Sequence, residues 1–153
     1  MPIGHESNRN RYLSIRTVIE LESVCIELED IMSVHFARYG LSRAKFGALV
    51  QLHMAGESGL TQSDLSKKML VSRANITGLI DRLEKDGLVV RQSHPGDKRA
   101  FRIQLTARAR ELMQAFLPVH SQFIHKVTSA LNEKDKETLV SLLEKLKKGL
   151  DQL

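Results

Sequence analysis

Ser72, Arg73, Asn75 and Thr77 stand close together, and their side chains match what the edges of DNA bases offer. An arginine can fork onto guanine O6 and N7, an asparagine can pair with adenine, and a threonine can touch a thymine methyl. These types are also common on solvated helix faces, so alone they say little. Farther along, His94-Pro95-Gly96-Asp97-Lys98-Arg99 makes a basic turn. Lys98 and Arg99 suit phosphate oxygens or a narrow, negative minor groove. Asp97, an acid among cations, suits a structural part in the wing, holding an arginine in its working pose. Thr61 and Gln62 begin another helical pattern, where free N–H groups and short polar side chains can take a phosphate.

The segments around these residues say how they are held. Thr61 and Asp64 make a T-x-x-D capping box, with Leu60 as its staple residue. Met69-Leu70-Val71 reads as a short turn. Ser72 then caps a helix from Arg73 to Asp86, with Ile76, Leu79, Ile80 and Leu83 on one face and Gly87 as its stop. The opposite side holds Ala74, Gly78, Asp81 and Lys85. A mid-helix glycine costs roughly 0.8–1.0 kcal/mol relative to alanine. A smooth face that sits deep in a groove would offset that cost; the alternative is that Gly78 clears space for a neighbour. Leu88–Gln92 and Ala100–Leu105 read as strands, with alternation at Phe101, Ile103 and Leu105. Helix, turn, helix, strand, basic loop, strand is the order of a winged helix-turn-helix. The expected fold class is mainly α with a small β-hairpin wing.

The flanking segments are helical. Residues 1–10 are polar and expected to form a disordered tail. From Tyr12 to Tyr39, Val18, Leu21, Cys25, Leu28 and Met32 recur at heptad spacing, and Gly40 ends the run. Ser42 caps a second helix to about Ala55. Thr106 caps a fifth to about Ala130, with Pro118 expected to kink it, and Asn132 caps a last helix with Leu139, Leu143, Leu146 and Leu150 on its stripe. The winged module cannot cover all these end stripes, so the same helices from two chains should pack together as a homodimer. The expected organisation is one domain over residues 11–153. Residues 11–40 and 107–153 form the dimerisation helices, and 42–105 the DNA-binding lobe.

Charge supports a polyanionic partner. The 153 residues carry a net charge of +5, and residues 88–110, with six Lys or Arg and one Asp, account for all of it. No apolar run approaches the ~20 residues of a membrane span, and the first residues lack the apolar core of a signal peptide. A cytoplasmic protein with no membrane association is expected. No nucleophile elbow, H-E-x-x-H or phosphate-binding glycine loop is present, so no catalytic role and no cofactor are expected. The six histidines show no i, i+4 pair, and no metal site is expected.

The pattern resembles that of the MarR-family transcriptional regulators. The residues that carry the resemblance are Leu41-Ser42, Leu60-Thr61-Gln62-Ser63-Asp64-Leu65, Val71-Ser72, the run Leu83 to Val89, Asp97-Lys98-Arg99 and Leu105-Thr106. It spans about residues 12–150. One departure is Ala109, where the family often has glycine. The resemblance implies a dimer joined through its end helices, which binds pseudo-palindromic operators and releases DNA when a ligand or an oxidant acts. It favours a sequence-specific repressor. The alternatives are an architectural or RNA-binding winged helix without sequence preference, and a purely structural helical module.

Two further groups bear on a signal. His35, Phe36, Tyr39, Phe46, His53 and Met54 are candidates to line a pocket for a small aromatic or lipophilic effector. Cys25, on the heptad stripe and near Glu22 and Glu27, is expected to be a buried structural cysteine rather than a redox sensor.

Overall fold

Ser42, Thr61, Ser72 and Asn132 each stand just ahead of a helix, and each side-chain oxygen accepts the backbone N–H three residues on. These caps satisfy donors that the first helical turn leaves unpaired. With Thr106, whose hydroxyl accepts the Ala109 N–H, they set the starts of five of the six α-helices among the described residues of the computed structural model. It describes residues 3–94 and 97–153, with side chains for 8–93 and 101–153. Pro95 and Gly96 lie outside the described residues, as do the side chains of Asp97, Lys98 and Arg99.

The elements run α1 (Ile3–Ala37), α2 (Arg43–Ala55), β1 (Leu60–Thr61), α3 (Gln62–Met69), α4 (Arg73–Lys85), β2 (Val89–His94), β3 (Asp97–Leu105), α5 (Ala107–Val127) and α6 (Glu133–Leu150). Helix α1 begins at Ile3, so residues 3–10, expected as a disordered tail, are helical. Once a helix is nucleated, each added residue gains a hydrogen bond at little cost, and nothing between Ile3 and Tyr12 breaks the run. Helix α5 continues through Pro118 and ends at Val127.

The sheet is antiparallel, in the order β1-β3-β2. Its third strand, β1, is two residues long and pairs Leu60 with Ile103 and Thr61 with Arg102. Gly59 makes this approach possible. Its φ is +61°, and a Cβ there would lie 2.4 Å from the Ile103 carbonyl oxygen. Strands β2 and β3 extend farther toward the turn than their alternation suggests, with a register shift between Ser93 and His94. Asp97, Lys98 and Arg99 therefore begin β3 instead of forming the loop tip.

The chain forms two compact units, residues 1–110 and 111–153, with the boundary inside α5. In the first unit the core comprises Leu49, Leu52, Leu65, Ile76, Ile80, Leu83, Val89 and Ile103, each at most 1% exposed. Ala109, the departure from the family pattern, is fully buried and donates its N–H to the Thr106 hydroxyl. The second unit contains the rest of α5 and all of α6, whose first turn closes with a reciprocal capping box between Asn132 and Asp135.

Most of α1 and α6 stands open. Val18, Ile19, Val24 and Ile26 are more than half exposed, as are Val140, Leu142 and Leu150. Cys25 is exposed as well, against the expectation of burial. Heptad spacing marks a face meant for packing, but a single chain supplies nothing to cover this stretch of α1. Among the described residues, no helix is long and apolar enough to cross a membrane.

Candidate nucleic-acid interface

Helix α4 has two opposed faces. Ile76, Leu79, Ile80 and Leu83 are buried, while Ser72, Arg73, Ala74, Asn75 and Thr77 are exposed. The 3.6-residue repeat requires this division once the apolar stripe packs inward. A Cβ placed at Gly78 would meet only Arg82 Nη1, at 3.8 Å. Gly78 therefore does not clear space for a packed neighbour, and the outer face of α4 is smooth there.

The candidate base-reading residues have different freedoms. The Ser72 oxygen accepts the Asn75 N–H at 3.2 Å, so it serves the cap. The Thr77 hydroxyl donates to the Arg73 carbonyl at 2.8 Å and accepts a hydrogen bond from Gln62 Nε2. The two helix starts are thereby joined, and the Gln62 amide is engaged with the protein. The Thr61 oxygen accepts the Asp64 N–H at 3.1 Å, and its hydroxyl donates to Asp64 Oδ2 at 2.7 Å. The cap is formed, but Asp64 takes the Thr61 hydroxyl and not its backbone N–H, so the expected reciprocal box is not completed. Arg73 and Asn75 point outward from the first turn of α4.

Part of the basic segment turns inward to structural work. Arg91 bridges Asp81 and Glu84 of α4. Its hydrogen bond to Asp81 leads the effects that raise its pKa, so it stays charged. Arg102 Nη1 donates to the Ser58 and Gly59 carbonyls at 3.3 Å, which fastens β3 to the segment before β1. Arg108 Nη1 donates to the Asp86 carbonyl at 3.0 Å. Lys45 Nζ of α2 lies 2.6 Å from Asp86 Oδ2, and the Thr106 hydroxyl donates to the Gly87 carbonyl at 2.8 Å. These contacts fix the C-terminal end of α4. Neither Lys45 nor Arg91 was singled out in the sequence, because each reads there as one more surface charge, and Asp86 was marked only as a helix end and as part of the run Leu83 to Val89. The backbone of Asp97, Lys98 and Arg99 lies on β3; what their side chains touch falls outside the described residues.

Of the candidate effector residues, four come together. The Phe36 and Phe46 rings are 5.3 Å apart, and His35 lies 5.9 Å from Phe36 and 6.0 Å from Tyr39. Burial, aided by the positive charge of Arg38, lowers the His35 pKa. His53 and Met54 are exposed on α2, and Met54 is 76% exposed. A cleft of about 680 Å³ opens beside α2, lined by Ser33, Ala37, Gly47, Gln51, Met69 and Val71 among others, and by none of the six expected residues. The sequence marked aromatic and histidine residues, whereas the cleft is lined mostly by small and aliphatic ones.

Comparison with known proteins agrees with this architecture. A profile of the MarR family matches residues 39–100. The HTH-type transcriptional repressor YetL of Bacillus subtilis (strain 168) is 34% identical over 130 residues, which are 85% of this chain and 78% of YetL. The transcriptional repressor MprA of Escherichia coli (strain K12) is 32% identical over 141 residues, which are 92% of this chain and 78% of MprA. The crystal structure of Sco3205, a MarR family transcriptional regulator from Streptomyces coelicolor in complex with DNA, is similar with a TM-score of 0.75. It is 26% identical and covers 93% of this chain and 88% of its own. With relatives above 30% identity along most of both chains and the same winged fold, the chain belongs to the MarR family.

Proposed function

We propose that this chain is a sequence-specific DNA-binding transcriptional regulator that acts as a repressor. The observation that carries the reading is the exposed first turn of α4. It presents Arg73, Asn75 and Thr77 on a helix whose opposite face is sealed into the core. Recognition helices read bases mainly from their N-terminal residues. Lys98 and Arg99 would brace the flanking backbone, with Asp97 holding the wing's geometry. Thr61 and the α3 start would meet a phosphate. The names of YetL and MprA as repressors support the direction of control.

The active form is a homodimer on a pseudo-palindromic operator in the cytoplasm. Residues 11–153 serve as one functional domain whose end helices pair with those of a second copy. The exposed apolar residues of α1 and α6 support this, because water contact with so many large side chains is costly. Two recognition helices would then enter successive major grooves roughly 34–36 Å apart. A small aromatic or lipophilic effector would release the dimer; the cleft beside α2 lies within the ~300–1,000 Å³ of ligand pockets.

The test is a binding titration on the protein's own promoter against bulk DNA. A specific regulator prefers its promoter by roughly 10³ or more. If 6–10 phosphates are contacted, affinity falls by on the order of 10³–10⁵ between 50 and 200 mM salt. Equal affinity for all duplexes, or for RNA, would favour the non-specific alternative. Unchanged affinity in Arg73→Ala and Arg99→Ala would reject DNA reading by these elements. A thermal-shift screen with phenolic acids tests the effector, and no stabilisation would count against it.

A further inference from the structure

Asp81 and Glu84 are out of place on a helix laid against DNA. Asp81 shares the outer stripe of α4 with Ala74 and Gly78, and Glu84 follows one turn on. Carboxylates near phosphates repel them, least at high salt. Arg91 of β2 reaches both acids: Nη2 to Asp81 Oδ1 and Nη1 to Glu84 Oε2. One guanidinium thus spans two carboxylates, with a separate nitrogen for each.

The exposures distinguish two parts that Arg91 could play. Its side chain is 26% exposed, against 58% for Asp81 and 40% for Glu84. An arginine held ready for a phosphate would be the open member of such a cluster. Here the cation is the most covered, and it lies toward the wing.

We propose that Arg91 is a positioning residue that masks charge: it holds the Asp81 and Glu84 carboxylates against β2 so that the edge of α4 can lie beside the DNA backbone. This rests on the DNA-binding reading above. It gives one of the cations of the basic segment a part that involves no nucleotide contact.

The experiment uses the full chain and a duplex that the wild-type protein selects from a random pool. Affinity is read by fluorescence anisotropy across a salt series, and circular dichroism reports folding. Arg91→Gln should weaken binding roughly tenfold at low salt, and by less as added salt screens the freed carboxylates. Adding Asp81→Asn and Glu84→Gln to that variant should restore most of the loss, because no carboxylate is left to mask. A triple variant as weak as Arg91→Gln overturns the proposal and would make Arg91 a direct contact. Wild-type affinity in Arg91→Gln also overturns it. If Arg91→Gln does not fold, Asp81→Asn with Glu84→Gln decides, since masking requires affinity at least equal to wild type and a loss rejects it. Failure of the wild-type protein to select any duplex would instead strike the DNA-binding reading itself.

Discussion

Gln62, in the first turn of α3, donates a hydrogen bond to the Thr77 hydroxyl on α4, and that hydroxyl donates in turn to the Arg73 carbonyl. A hydroxyl has one proton. With that proton committed inside the helix, Thr77 can offer a base its methyl or a remaining lone pair, but no donor. The same bond couples the helix that would take a phosphate to the one that would read sequence.

Replacement of Thr77 should separate these parts. Thr77→Val keeps the methyl and the shape but removes the bridge. It should cost about 0.5–1.5 kcal/mol in urea unfolding and retain any thymine preference in site selection. Thr77→Ser keeps the bridge and should lose that preference. The reverse pattern would show that the hydroxyl reads the base.

Gly78→Ala should stabilise the fold while weakening DNA binding. A Cβ there meets only the end of Arg82, at 3.8 Å, and alanine exceeds glycine in mid-helix by roughly 0.8–1.0 kcal/mol. A higher melting temperature with lower DNA affinity is expected. A higher melting temperature with unchanged affinity would mean that the smooth face has no part in docking.

Gly59→Ala should be strongly destabilising. Its backbone lies at φ +61°, ψ −172°, a region essentially reserved for glycine, and the new Cβ would overlap the Ile103 carbonyl. A loss of about 2–4 kcal/mol in chemical unfolding is expected. A loss below about 1 kcal/mol would show that β1 can move away from β3 cheaply.

His35 should make stability depend on pH. Its folded pKa lies below the ordinary 6.5 because burial disfavours the charged ring and Arg38 adds repulsion. The unfolded chain therefore binds the proton more readily, and stability falls as pH drops through about 6.5 toward the lower folded value. Above about 6.5 the contribution is constant. Unfolding free energy should decline as pH falls below about 6.5, and His35→Gln should flatten part of that decline. Parallel curves for the two proteins would contradict this.

The local elements were legible in the sequence because their causes are local. Ser42, Thr61, Ser72 and Asn132 cap helices through an oxygen that reaches only three residues. The inward stripe of α4 follows from the helical repeat alone. Strand β1 gave no signal because two residues cannot show an alternation. Helix α1 began earlier than expected because polarity near a chain end does not by itself break a helix.

Placement in three dimensions belonged to the tertiary structure. Lys45 and Asp86 are 41 residues apart, yet their charged atoms meet at 2.6 Å. Arg91 faces α4 only because β2 folds back along it. His35, Phe36, Tyr39 and Phe46 gather while His53 and Met54 stay exposed, since His53 stands two helical turns beyond Phe46, about 10 Å farther along α2. Cys25 sits on an apolar repeat and is nonetheless exposed, because periodicity fixes which face is apolar and not what covers it. The sequence alone determined which helices form, where the capped ones start and which side of α4 turns inward, because capping and periodicity act within a few residues. Only the fold decided which charges pair and which cations remain for a partner, because those depend on contacts between segments far apart along the chain.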